Sequence, residues 1–315
     1  MKKISIVTPC YNEEDNVEEL YQRVKSQFDE LNNYKYEHIF IDNASDDRTV
    51  EILKSIAEND PNVKIIVNSR NFGPIRSPHY GLLQGSGDAT MLIVADLQDP
   101  PELIPEFIQK WEQGSELVIG VKNESDESPA MYLIRKAYYT LTAKLSETKL
   151  VKNFYGFGLY DKKIIEIIKN IPDPYPYSRG ILVDLGFNME KIYYRQPVRH
   201  RGVTSTNFFS LYDIAMLGIC SHSKVPLRIA TLSGFILSLI CFLIAFVYFL
   251  YKLFYWDEFP LGTAPIVIGM FFLGSVQIFF IGLVGEYVGH LISKSSNFPL
   301  VIEKERINFH TSDDD

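Results

Sequence analysis

Residues 4–47 read ISIVTPCYNEEDNVEELYQRVKSQFDELNNYKYEHIFIDNASDD, and this stretch decides the fold. The apolar, β-branched run at 4–8 has the composition of a buried strand, residues 14–31 of a helix, and 38–41 of a second buried strand. A helix of that length between two strands lets them pair in parallel. Working outward, further strands are expected at 64–67, 91–94 and 117–121, with helices at 49–57, 78–84 and 102–111. Pro100 and Pro101 suit the first turn of the last helix. The alternation predicts a mostly parallel α/β sheet with helices on both faces.

Ligands of such sheets lie beyond the carboxyl ends of the strands. The loops there are polar: Pro9-Cys10-Tyr11-Asn12-Glu13, Asp42-Asn43-Ala44-Ser45-Asp46-Asp47 and Ala95-Asp96-Leu97-Gln98-Asp99. Three strand ends thus carry carboxylates to one rim. Turn formation and capping of the helix at 49 compete as roles for Asp42 and Asp47. Asp99 is better placed than Asp96 to cap the helix that follows. The sequence has no G-x-G-x-x-G or G-x-x-x-x-G-K-[ST] element, which removes the main support for hydride transfer or ATP hydrolysis. His79 and His200 belong to no nucleophile–base arrangement and read as local hydrogen-bonding residues.

The formal net charge of −8 and the lack of a long basic run argue against a nucleic-acid partner. The acidic end, Asp313 to Asp315, reads as solvated. Cys10, Cys220 and Cys241 match no metal-ligand spacing and are expected as free thiols in a reducing compartment. The first residues do not form a signal peptide, because the apolar run stops at Pro9 and acids follow. The first two hundred residues are therefore expected in the cytoplasm.

The C-terminal third differs. Residues 229–251 and 262–285 contain no charge, and at ~1.5 Å per residue each run, as a helix, spans the ~30 Å core of a bilayer. Tyr255, Trp256 and Pro260 lie in the turn between them. Lys224 and Arg228 precede the first run, and Lys294, Lys304 and Arg306 follow the second. This bias predicts a hairpin with both ends in the cytoplasm, in the inner membrane. The patterns at 131–144 and 208–219 read as amphipathic helices at the membrane surface. The expected organisation is a catalytic domain at 1–206, an interfacial helix at 207–226, two transmembrane helices at 227–292 and a tail at 293–315.

On these motifs the chain resembles family 2 glycosyltransferases of the GT-A fold, in the branch that uses polyprenyl phosphates. The likeness starts at Ile6-Val7-Thr8-Pro9-Cys10-Tyr11-Asn12-Glu13. It continues through Asp42–Asp47, where the family usually has two Asp, a Gly and a Ser, and through Ser69-Arg70-Asn71-Phe72-Gly73. It is most specific at Asp96-Leu97-Gln98-Asp99-Pro100-Pro101-Glu102, and Gly285-Glu286-Tyr287 matches a C-terminal signature. Two departures stand out. Val94 replaces the first Asp of an Asp-x-Asp, and Arg199 to Ser205 ends in Thr-Ser where the family tends to have Ser-Lys.

The resemblance implies an inverting transfer of one sugar from a nucleotide-diphosphate sugar to a polyprenyl (undecaprenyl) phosphate, giving a lipid-linked sugar for the cell envelope. A UDP-sugar is favoured and GDP-mannose is the alternative. It implies Asp96 and Gln98 as catalytic residues and ligands of Mg²⁺ or Mn²⁺. It implies Pro9, Tyr11, Asn12, Glu13, Asp42, Ser45 and Asp96 around the nucleotide-sugar, and Lys122, Arg135 and Arg199 at the acceptor phosphate. The bilayer is an expected partner, and a homo-oligomer remains open. Two other readings stand beside it: a polysaccharide-extending synthase, for which no Q-x-x-R-W element is present, and a catalytically degenerate membrane scaffold, supported by Val94 alone.

Overall fold

The computed structural model describes residues 1–124, 151, 153–197, 216–217, 220, 223, 225–254, 263–295 and 298–309. Strands β1 (Lys2–Cys10), β2 (Tyr34–Asp42), β3 (Val63–Asn68) and β4 (Ala89–Leu92) run parallel, in the order β4-β1-β2-β3. Helices α1 (Val17–Glu30), α2 (Thr49–Asn59) and α3 (Gly73–Leu82) connect them. The strand alternation sorts side chains into two layers. Ile4, Ile6, Phe40, Ile65 and Val67 join α1 and α2 in one core, while Val7, Ile39, Ile41 and Ile66 face the other way with Tyr80 of α3. Gly81 lets α3 lie close, since a Cβ there would meet Ile41 at 2.8 Å and Val7 at 3.0 Å.

After β4 a single 3₁₀ turn (Pro101–Leu103) leads into α4 (Ile104–Glu112) and then β5 (Leu117–Glu124). The next elements were not expected from the sequence pattern: β6 (Gly158–Asp161), α5 (Lys162–Lys169), α6 (Ser178–Asp184) and β7 (Met189–Arg195). β6 lies between β4 and β5, antiparallel to both, and β7 pairs in parallel with β5. The C-terminal ends of β1 to β5 and β7 therefore share one rim.

Two expectations need adjustment. The helix placed at 78–84 begins at Gly73, with Pro74 in its first turn, where no donor is needed, and Pro78 inside it. The stretch after the hairpin, expected as a tail, supplies β8 (Glu303–Ile307), which pairs antiparallel with β3 and closes the sheet edge. Its sequence, Glu-Lys-Glu-Arg-Ile, has the charge that suits an edge strand. That charge hid it from an apolar pattern search.

α7 (Val225–Phe254) and α8 (Thr263–Ser295) are long and apolar enough to cross a membrane, and among their described residues few are buried by protein. The expected uncharged runs lie within them, apart from residue 262, and α8 continues past Glu286 to Ser295. Tyr287 donates to the Ser223 carbonyl at 2.7 Å, and Lys294 pairs with Asp173 at 3.2 Å, which docks the base of α8 on the sheet domain. The expectations for the helix at 131–144, for Arg135 and Arg199, for most of 207–226 and for the turn at 255–261 fall outside the described residues.

Candidate active site

β1 and β2 end side by side, with Cys10 opposite Asp42, so the loops that follow them meet. The Asn12 amide donates to the Ser45 hydroxyl at 2.9 Å, and the Asp46 amide donates to Asn12 Oδ1 at 2.9 Å. The Glu13 amide donates to Thr49 Oγ1 at 2.9 Å. Pro9, Tyr11, Asn12, Glu13 and Ser45 thus lie on joined loops that reach the surface, with Asp42 buried at the end of β2.

Asp42 is fully buried, and both its oxygens accept from Ser45, one from the hydroxyl and one from the amide. Burial raises its carboxyl above the ordinary carboxylate value, against the bonds from Ser45 and Ala44. Its direct effect is to fix the turn, in which Ala44 has φ +62°, a left-handed conformation natural to the glycine usual in the resembling family. Asp47 accepts from the Thr49 amide at 3.0 Å and the Glu14 amide at 3.2 Å, so it holds the turn before α2, whose cap position is Arg48. Burial first, then Asp42, Glu13 and Asp47, push the Cys10 thiol well up, which keeps it neutral and poorly nucleophilic.

The third loop leaves β4 beside β1, with the Ile93 amide donating to the Val7 carbonyl at 3.0 Å. Burial alternates from Leu92 to Asp96: Ile93 and Ala95 enter the core, while Leu92, Val94 and Asp96 are half exposed. Val94 therefore stands on the Asp96 side of the chain, outside the sheet core. Leu97 takes φ +59°, and the Gln98 amide donates to Asp96 Oδ1 at 3.1 Å. Asp96 and Gln98 are both half exposed and offer hard oxygen donors two residues apart.

Asp99 does not cap the following helix, contrary to the expectation for it. It is 4% exposed and accepts from the Tyr194 hydroxyl at 2.8 Å and the Val94 amide at 3.4 Å. Burial lifts its carboxyl and Asp96 adds to the lift, against Lys122 and Tyr194, leaving it at about 6. Lys122, near the end of β5, lies 4.4 Å above the Tyr155 ring. Beside it an apolar cavity of about 90 Å³ is lined by Ile75, Leu82, Leu92, Phe154 and Tyr177 among others. Sequence reasoning missed Asp99, Tyr194 and Asn43. The signal available for Asn43 was its place beside Asp42 at a strand end. Among the described residues no group of three or more His, Cys, Asp or Glu could hold a metal.

Comparison with known proteins gives the family. Residues 5–169 match glycosyl transferase family 2, and residues 225–291 match the GtrB C-terminal hairpin. The chain belongs to glycosyl transferase family 2. It is 35% identical over 305 residues to a bactoprenol glucosyl transferase of Shigella phage SfV, covering 96% of this chain and 98% of that one. It is 34% identical to a prophage bactoprenol glucosyl transferase homolog of Escherichia coli strain K12, at 96% and 98% coverage. Among solved structures, mannosyl-3-phosphoglycerate synthase from Rubrobacter xylanophilus matches with a TM-score of 0.51 at 18% identity, over 74% of this chain and 75% of that one. That likeness concerns the GT-A fold alone. This glycosyltransferase therefore pairs a GT-A sheet domain with a family-specific apolar hairpin.

Proposed function

We propose that this glycosyltransferase moves one sugar, with inversion, from a nucleotide-diphosphate sugar to a polyprenyl phosphate such as undecaprenyl phosphate, and that a UDP-sugar is the donor, with GDP-mannose as the alternative. The observation that carries this reading is similarity along nearly the whole chain, hairpin included, to proteins named as bactoprenol glucosyl transferases.

In this reading the joined loops with Pro9, Tyr11, Asn12, Glu13 and Ser45 hold the nucleotide, and buried Asp42 acts by fixing their shape. Asp96 and Gln98 suit Mg²⁺ or Mn²⁺, because such ions take oxygen ligands and accept one or two protein groups alongside substrate phosphates. The ion would neutralise the departing diphosphate. Lys122 faces the acceptor phosphate from β5, and Arg135 and Arg199 are assigned to the same phosphate. No general base is required, since a phosphate monoester with a second pKa of about 6 is already largely ionised near neutral pH.

The hairpin crosses the inner membrane and leaves the sheet domain on the cytoplasmic side. Two facts support this: the basic flanks Arg228 and Lys294, and the return of the chain after α8 to pair with β3. A cavity of about 520 Å³ at the base of α8, beside Tyr175, Gly285 and Glu286, gives an amphiphile from the bilayer a way toward the sheet domain. The test is a donor panel. Purified protein with undecaprenyl phosphate is given labelled UDP- and GDP-sugars in turn, and label is counted in the chloroform phase. Transfer from one UDP-sugar supports the reading. Incorporation from no nucleotide-sugar refutes it.

A further inference from the structure

The segment Ser69-Arg70-Asn71-Phe72-Gly73 at the end of β3 has no part in the reading above, yet it joins two regions. One is the turn at 42–45, tied to it through Asn43. This side chain is 6% exposed. Its Oδ1 accepts from the Phe72 amide at 2.9 Å and from Asn68 Nδ2 at 3.1 Å, and its Nδ2 donates to Asn71 Oδ1 at 2.8 Å and to the Gly73 carbonyl at 3.4 Å. Its backbone amide donates to the Cys10 carbonyl at 2.9 Å. The side chain thus uses both donors and both acceptor positions of an amide. Asn68 extends the network to the Ser77 hydroxyl at 3.0 Å.

The other region is the chain that returns from α8. The Ser69 amide donates to the Ile302 carbonyl at 2.8 Å. Arg76, stacked on Phe72 at 5.2 Å, donates to the Pro299 carbonyl. Val301 is buried between these contacts in sequence. Beyond them β8 is held by Lys54 on Glu305, by Tyr80 on Glu303 at 2.8 Å, and by Asn308, whose Nδ2 donates to the Ala57 and Val63 carbonyls at 2.9 Å each. Hydrogen bonds therefore tie 299–302 to Ser69 and Arg76, and residues 68–73 in turn to Asn43 in the turn that follows Asp42.

We propose that Asn43 is a positioning residue through which the returning C-terminal strand holds the nucleotide loop, so that donor affinity depends on the seating of the hairpin's tail. This rests on the reading of the 42–45 turn as part of the donor site. Buried polar contacts do not relax independently, because each group left without its partner carries its full desolvation cost. Release of the tail frees the Ser69 amide and the Arg76 guanidinium, and the loosened 69–73 segment then withdraws the partners that fix Asn43.

The experiment uses the full chain in detergent and has two arms. Hydrogen exchange is followed at residues 43–46 and 69–73 in wild type, Asn43→Ala and Val301→Asp. Apparent KM is measured separately for the nucleotide-sugar and for the polyprenyl phosphate. Both variants are expected to speed exchange in both segments. They are expected to raise the donor KM by about tenfold while the lipid KM stays near wild type. If Val301→Asp does not fold, Glu305→Lys loosens β8 from the surface and should shift both readouts the same way by less, and adding Lys54→Glu should reverse the shift. Faster exchange in 303–307 with none in 43–46 overturns the proposal, as does an equal rise in both KM values. The exchange arm needs no turnover, so it judges the coupling even where the proposed transfer fails.

Discussion

The Tyr194 hydroxyl donates to the Asp99 carboxylate at 2.8 Å. This one bond ties the far strand β7 to the loop that carries Asp96 and Gln98. Asp99 is buried and also receives the Val94 amide, so it holds both ends of that loop. Tyr194→Phe leaves a buried carboxylate without its main donor and should cost about 1–3 kcal/mol of stability. It should also lower turnover, since Leu97 keeps its left-handed conformation only under outside constraint. Denaturant unfolding and initial rates measure the two effects. Unchanged stability with unchanged rate would remove the pair from the site's support.

Asp96→Asn should abolish nearly all transfer while leaving the melting curve close to wild type, because Asp96 is half exposed and its bond from the neighbouring Gln98 amide can be kept by the asparagine Oδ1. Val94→Asp should remain folded, since Val94 stands on the half-exposed side of the chain, and should lower the Mn²⁺ concentration for half-maximal rate. Titration of Mn²⁺ at fixed substrates checks both. Wild-type turnover in Asp96→Asn would contradict the metal assignment.

Ala44 holds a backbone conformation that costs an L-residue about 1–2 kcal/mol. Ala44→Gly should recover part of this and raise stability by roughly 1 kcal/mol, less the entropy that glycine adds to the unfolded chain. Urea unfolding of the two proteins is the comparison, and a loss of stability would show that the Ala44 methyl packs usefully.

Glu37 is buried at the opposite end of the sheet from the candidate site. Burial alone would raise its carboxyl. Lys3, Lys64, the Ser5 hydroxyl and the Ser86 amide outweigh that and bring it down to about 2. The unfolded value is about 4.3. A folded value below the unfolded one stabilises above the unfolded pKa, and the contribution disappears as pH falls toward the folded pKa. About 3 kcal/mol present at pH 7 should therefore be lost between about pH 4.3 and 2. The stability gap between wild type and Glu37→Gln should be widest at neutral pH and close across that window. A gap independent of pH would contradict the ion-pair account.

The parallel half of the sheet was legible because its strands are buried on both faces and read as continuous apolar runs, as at 38–42 and 63–68. The hairpin was legible for the same reason on a larger scale. β6 was not, because four residues give no period, and β8 was not, because an edge strand carries charge. In the site, exposed polar residues at strand ends announced themselves. Asp99 and Asn43 were read only locally, since their roles depend on Tyr194 and on Asn68, Asn71 and Phe72. Those partners are distant in sequence, and nothing in the local spacing points to them.

The central claim is transfer of sugar to a polyprenyl phosphate, and the acceptor tests it most directly. Purified protein receives the labelled nucleotide-sugar that works best, Mn²⁺, and either undecaprenyl phosphate or undecaprenol in matched detergent. The account predicts label in the chloroform phase with the phosphate and none with the alcohol, because in the proposed transfer an already ionised phosphate oxygen is the nucleophile and needs no general base, whereas a hydroxyl would. Equal labelling of the alcohol, or none of the phosphate with any donor, would contradict it.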